Sequence, residues 1–218
     1  MRRAQPIRNL LTYTGVEWEN KVYQMDPAGR DAWFDDKKDG LGLEFPNLPY
    51  YLDGDVKLSQ SLAILRHLGR KHGLYGQTEE EQCRQDMAEQ QQGDLMMAMG
   101  RAVYLAFTPE TKAKYLEEAL PMHLKLFTKF IGSRSWLLGD RLTYVDFLWY
   151  EILDWQLYLD PDCLNDFPVV RDFMDRFENL PNVKEYLKSD KFQKWPLFGP
   201  MALWGHKEEG MKLRFPDG

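Results

Sequence analysis

The run TYVDFLWYEIL, from Thr143 to Leu153, constrains the fold more than any other stretch of the chain. Thr143-x-x-Asp146 has the spacing of a capping box, in which two side chains satisfy amides at a helix start. The helix it opens is apolar almost all round, and a helix without a polar face must be covered on every side. Other helices therefore have to wrap it, with Asp146 turned toward buried backbone donors. Its expected role is folding, not catalysis.

The surrounding pattern supplies those helices. Thr78-x-x-Glu81 is a second capping box and opens a long helix through Met87, Asp94 and Tyr104. Thr108-Pro109 starts another, residues 139–142 form a short loop, and Pro168 and Pro181 punctuate two more. The stretch from Pro196 to Trp204 is aromatic but has little periodicity.

Ahead of Thr78 the pattern is mixed. A helix is expected from about Gln5, with Pro6 near its start and Gly15 past its end, then a strand-like run at residues 17–23. Residues 26–42, holding Trp33 and Lys37, read as a loop rich in turn and charged residues. Next come a Pro-rich turn, two short strands around Asp53-Gly54, and a helix. Ser59 or Ser61 can cap that helix, and Leu62, Ile64, Leu65 and Leu68 form its buried side. The expected division is an α/β domain at 1–76 and an all-α domain at 77–218, joined by residues 74–77.

Composition narrows the function. With 44% hydrophobic residues in 218 the chain is globular, and a formal net charge of -6 without a basic block argues against nucleic acid or an anionic membrane as partner. No apolar stretch approaches membrane-spanning length and no leader is recognised, so a cytoplasmic protein with a small-molecule or protein partner is expected. Cys83 and Cys163 are far apart and read as packing residues, and the four histidines lack zinc spacing, so no metal is assigned. Glycine-rich phosphate loops and a GxSxG elbow are absent from the sequence.

In PNLPYYLDGDVKLSQS, residues 46–61, a proline directly precedes a strand. Proline removes a ladder donor, so its place there calls for a rigid turn, either an ordinary trans proline or a cis Leu48-Pro49 bond. Gln60-Ser61 then falls at a helix N-terminus, where free amides and the helix dipole attract a carboxylate.

An α/β half with PNLP before a hairpin and QS on the next helix, followed by a helical half, resembles the cytosolic glutathione transferases. The run GLEFPNLPYYLDGDVKLSQSLAILRHLGRKHGL, the Trp-Lys segment before it, LTYVDF and KWPLFGPMALWG are similar to the mu class. The resemblance implies a thioredoxin-like first domain that grips glutathione and a helical domain that walls a pocket for small hydrophobic electrophiles. Glutathione would be a co-substrate, with no other cofactor, and the product a thioether.

Residue by residue, the resemblance implies that Pro49 is a cis-proline aiming the Leu48 backbone at the cysteinyl unit by strand-like hydrogen bonds. It implies that Gln60 and Ser61 hold the γ-glutamyl end, that Trp33 and Lys37 meet the glycyl carboxylate, and that Asn47 adds a contact. Asp94 would reach across a homodimer to the γ-glutamyl ammonium, and Tyr104 would face the electrophile and assist product formation. Phe45 would plug a slot in the partner subunit. Each has a plainer alternative: a helix cap for Ser61, turn chemistry for Asn47, solvated charge for Lys37 and Asp94, core packing for Tyr104.

The chain departs from the family at its start. Where the mu class has a strand, a Tyr-Trp pair and Ile-Arg-Gly, this chain reads MRRAQPIR. The family's catalytic tyrosine, whose hydroxyl donates to the sulfur anion, and its neighbouring tryptophan have no counterpart. A thiol of pKa ~8.5 is mostly protonated at neutral pH, and losing one such donor costs on the order of 3 kcal/mol. Tyr13, at the end of the first helix, is no replacement, which leaves Arg2, Arg3 and the helix amides as the cationic features nearby. The missing strand would also leave an open edge and a weakened first domain.

Two readings stand: a glutathione transferase of impaired activity, or a non-catalytic ligand-binding or crystallin-like relative. A glutaredoxin-like reductase would need a cysteine at the start of the first helix, and none is there.

Overall fold

In the computed structural model, residues 2–24, 26–38 and 40–206 are described. Tyr144–Leu159 forms the central helix, α7 once the elements are numbered in chain order, and all its residues but Leu157 are buried. Its start is the expected box: Asp146 accepts the Thr143 amide at 2.8 Å, the Thr143 hydroxyl at 3.0 Å and the Leu137 amide at 2.9 Å.

Helix α4 (Glu79–Leu105) packs along α7, with the Trp149 indole donating to the Ala88 carbonyl at 2.9 Å and the Tyr144 hydroxyl to Glu89 at 2.7 Å. Thr78 caps α4 by accepting the Glu81 amide. Beyond it lie α5 (Pro109–Lys114), a π-helical turn at Tyr115–Ala119 and α6 (Leu120–Ile131). Helices α8 (Pro168–Glu178) and α9 (Val183–Lys188) complete the bundle, Phe177 of α8 stacking on Tyr150 with ring centroids 4.0 Å apart.

The first half is thinner. Helix α1 (Gln5–Thr14) ends as expected at Gly15, whose φ of 70° lies in the left-handed region that glycine tolerates best. It buries Ile7, Leu10 and Leu11, packs against α7 and so belongs to the main core. Strands β1 (Tyr50–Asp53) and β2 (Val56–Ser59) pair antiparallel in the register Tyr50 to Ser59, around Gly54 at φ 57°. They form the one sheet among the described residues, and α3 (Ser61–Lys71) follows directly.

Several expectations are corrected. Residues 17–23 are extended, but among the described residues they make no backbone hydrogen bond, so they form no strand: extended backbone becomes sheet only when a neighbour supplies the ladder. The loop expected at 26–42 is largely a helix, α2 (Pro27–Lys38). Asp26 takes the Gly29 amide at 2.7 Å to start it, and because little of α2 is buried it shows no apolar stripe to read.

Neither serine caps α3. Gln60 is the N-cap, and the Ser59 hydroxyl instead donates to the Phe45 carbonyl at 2.5 Å. Leu62 sits on the exposed side of α3, while Ile64, Leu65 and Leu68 are fully buried. Cys83 is exposed and does not pack.

Arg2 is corrected most sharply. It is 3% exposed, and its guanidinium lies 3.0 Å from Glu151 and 2.9 Å from Asp154, both buried in α7. Burial alone would lower its pKa, but the two carboxylates outweigh that and hold it charged. Its charge is used inside the protein and is not offered to a ligand's sulfur.

Candidate functional site

The hairpin register gathers most of the expected residues at one end of the sheet. Because Tyr50 pairs with Ser59, the Leu48-Pro49 turn before β1 and the Gln60-Ser61 junction after β2 are side by side. The Leu48-Pro49 bond is cis. Pro49 and Ser61 are half-buried, and Asn47, Leu48 and Gln60 are exposed.

At the junction, Gln60 has φ 69° and ψ 109° with no side-chain cap, a conformation that L residues rarely adopt and that costs about 1–3 kcal/mol. The chain thereby reverses sharply from β2 into α3. Among the described residues the α3 N-terminal amides have no side-chain acceptor, which suits them to a carboxylate.

Helix α2 closes the other side. Trp33 stacks on Tyr50 at 6.2 Å with an interplanar angle of 13° and meets Tyr23 edge-on at 5.4 Å. Lys37, one helical turn further on the same face, is exposed, with its Nζ 6.0 Å from the Phe34 ring centroid. Among the described residues it has no ion pair, so it remains available to an incoming anion.

Three residues bracing this wall carried no signal in the sequence. The Tyr23 hydroxyl donates to Asp36 at 2.5 Å and lies 3.0 Å from the Tyr50 hydroxyl, while Lys21 bridges Asp36 at 2.6 Å. Lys21 and Tyr23 hold the Asp36 carboxyl below its usual range, and burial together with Asp36 pushes the Tyr23 phenol up. The net tied around Trp33 forms only when residues 21–23, 36 and 50 converge in space.

Asn47 turns inward on its own loop: its side-chain oxygen accepts the Leu48 amide at 2.9 Å. An extended ligand pairing with the Leu48 amide would have to displace that bond. Phe45, beside it, is 71% exposed, an unusual state for a large aromatic ring.

Asp94 and Tyr104 are not brought into this cluster within one chain. Both lie on α4, Asp94 exposed and Tyr104 half-buried. Tyr104 packs edge-on against Phe198 at 5.8 Å, in an aromatic group with Trp155 and Trp204. The Leu203 amide donates to the Val103 carbonyl at 2.9 Å and pins the last described segment over this end of α4.

Among the described residues no group of three or more His, Cys, Asp or Glu is placed to hold a metal, and no helix is long and apolar enough to cross a membrane.

Comparison with known proteins agrees with this geometry. Residues 1–70 match the family of the glutathione S-transferase N-terminal domain and residues 93–190 that of the glutathione S-transferase C-terminal domain. The chain is 46% identical over 207 residues to glutathione S-transferase Mu 1 of Bos taurus, and 45% identical to glutathione S-transferase Mu 4 of Mus musculus, covering 94% of each chain. Among solved structures, it superposes on the glutathione S-transferase Blo t 8 with a TM-score of 0.80 at 39% identity, covering 94% of this chain and 95% of that one. A Pi-class enzyme of Onchocerca volvulus superposes at 0.80 with 33% identity, over 92% and 94% of the two chains. With an α/β half, a helical half and about nineteen-twentieths of the chain aligned, the protein belongs to the glutathione S-transferases and, within them, to the Mu class.

Proposed function

We propose that the hairpin end binds glutathione and that the chain couples its thiol to small hydrophobic electrophiles, at a reduced rate. The observation that carries this reading is the α3 N-terminus, opened by Gln60 at φ 69° beside the cis Leu48-Pro49 turn. Free amides there suit the γ-glutamyl carboxylate, with the Gln60 side chain and Ser61 hydroxyl as further partners. The Leu48 backbone pairs with the cysteinyl unit once Asn47 releases its amide, and Asn47 is then free to contact the tripeptide. Trp33 and Lys37 take the glycyl carboxylate.

The electrophile lies against the aromatic group around Tyr104, whose hydroxyl assists product formation. Asp94 serves the ligand of a neighbouring subunit in a homodimer, where the exposed Phe45 ring is the anchor, an interaction worth roughly 2–4 kcal/mol. The reduced rate follows from the thiolate's surroundings. Arg2 is paired inside the protein with Glu151 and Asp154 and is not offered to the sulfur.

Two measurements test this reading. Retention on immobilised glutathione should fall for Ser61→Ala and for Asp94→Ala, and unchanged retention of both would sink the site. The initial rate with a chromogenic aryl halide should be measurable yet rise on the order of a hundredfold when a Mu-class N-terminal strand and tyrosine are grafted on. Retention without any turnover would favour the non-catalytic binding reading.

A further inference from the structure

The side of α2 proposed to take the glycyl carboxylate carries a carboxylate of its own. Trp33, Asp36 and Lys37 stand at positions i, i+3 and i+4 of the helix and so share one face. Lys21, and after it Tyr23, hold the Asp36 carboxyl below its usual range, so it is ionised at neutral pH. A bare anion there would repel an arriving carboxylate and compete with it for the Lys37 ammonium. A site for an anion has to dispose of this charge.

Two residues from outside α2 do so. The Lys21 ammonium lies 2.6 Å from Asp36 Oδ2, and the Tyr23 hydroxyl donates to the same oxygen at 2.5 Å. With the Tyr23 proton committed to Asp36, the Tyr50 hydroxyl is the donor in its 3.0 Å contact with Tyr23. A directed chain of hydrogen bonds therefore runs from Tyr50 through Tyr23 to Asp36. Its origin is fixed, because Tyr50 opens β1 directly after the cis Leu48-Pro49 bond. The same two residues also fix the indole: Tyr23 meets Trp33 edge-on at 5.4 Å, and the Lys21 ammonium lies 5.4 Å from the Tyr23 ring centroid.

Stability does not account for the Lys21 and Asp36 pair. Their side chains are 53% and 30% exposed, and an ion pair so open to water adds little to folding. Its effect on a charge that binds beside it is larger, since losing Lys21 changes the local charge by a full unit where a second carboxylate is to be held.

We propose that Lys21 and Tyr23 are positioning residues of the glycyl subsite, acting through Asp36 and Trp33. They mask the Asp36 charge, leave Lys37 to set the field over α2, and so make the chain select the thiol tripeptide over γ-glutamylcysteine, whose terminal carboxylate falls one residue short. This rests on the glutathione reading above and adds what sets its selectivity at the glycyl end.

Dissociation constants of the full chain for glutathione and for γ-glutamylcysteine, by titration calorimetry, test the proposal, with circular dichroism confirming that each variant is folded. The native chain should prefer glutathione about tenfold. Lys21→Gln should weaken glutathione about fivefold and γ-glutamylcysteine by less than about twofold. Tyr23→Phe, which keeps the ring against Trp33, should weaken glutathione about threefold, with the same selectivity. Adding Asp36→Asn to Lys21→Gln should return glutathione affinity to within about twofold of native, which a purely structural brace would not do. A loss that Asp36→Asn fails to restore, or an equal loss for both ligands, overturns the proposal. Native preference for glutathione with unchanged variants overturns it and leaves the glutathione reading standing. A native chain that binds neither ligand overturns both.

Discussion

Inside α7 each buried carboxylate has donors from elsewhere in the chain: Asp146 takes the amides of Leu137 and Thr143, and Glu151 and Asp154 share the Arg2 guanidinium. At the hairpin end the opposite holds. Lys37 is exposed and unpaired among the described residues, the α3 amides have no capping side chain, and Gln60 sits at φ 69°. A polar group that folding must desolvate needs an internal partner, whereas one reserved for a ligand has to be left unsatisfied or strained. The first region stabilises the protein, and in the proposed reading the second gives up stability for a site.

That contrast can be broken at its strongest point first. Arg2→Ala strands two buried carboxylates and should cost about 4 kcal/mol in denaturant unfolding, with little recovered by Arg2→Lys, which lacks the fork that spans both acids. A cost under about 1 kcal/mol would mean that this pairing does not hold the first half to α7.

Asp146→Asn comes next, at about 2 kcal/mol through lost donor contacts. Burial, opposed by the Leu137 and Thr143 donors, raises the Asp146 carboxyl from 3.8 to about 6. A raised carboxyl adds stability at low pH that is lost as pH rises through about 6. The native chain should therefore gain on the Asn variant as pH falls from about 6 to about 4, and the gap should be flat above pH ~7. A gap independent of pH would show that the carboxyl is not raised.

At the hairpin end the signs should differ. Gln60→Gly relieves the left-handed backbone, so unfolding should show a gain of about 1 kcal/mol while retention on glutathione weakens. Lys37→Ala should move stability by less than ~0.5 kcal/mol yet lower glutathione affinity about tenfold. If either variant lost stability and binding together, the two regions would not be separable in this way.

How much of this was legible beforehand varied with the range of the interaction. The cap at Thr78, where Glu81 takes the Gln77 amide instead of closing the expected box, the capping box at Thr143, the stop at Gly15 and the two-strand hairpin depend on residues within a few positions of one another, so they can be read locally. The candidate site was half legible. PNLP and QS mark it by short motifs, but the Tyr23, Asp36 and Tyr50 net around Trp33 joins residues with no common period. Helix α2 was missed because it buries almost nothing, and hydrophobic periodicity records burial.

The sequence by itself determined that one helix would be enclosed by others, that a mixed half would precede a helical one, and that the chain resembles the Mu class. Only the tertiary structure decided what the charges do. Nothing local distinguishes Arg2 from Arg3, yet Arg2 is sealed between Glu151 and Asp154 while Arg3 faces solvent. Nothing local shows that residues 17–23 stand without a ladder among the described residues. Pairing across 149 residues is set by how helices pack, and a desolvated charge or an open edge takes its meaning from whatever that packing brings beside it.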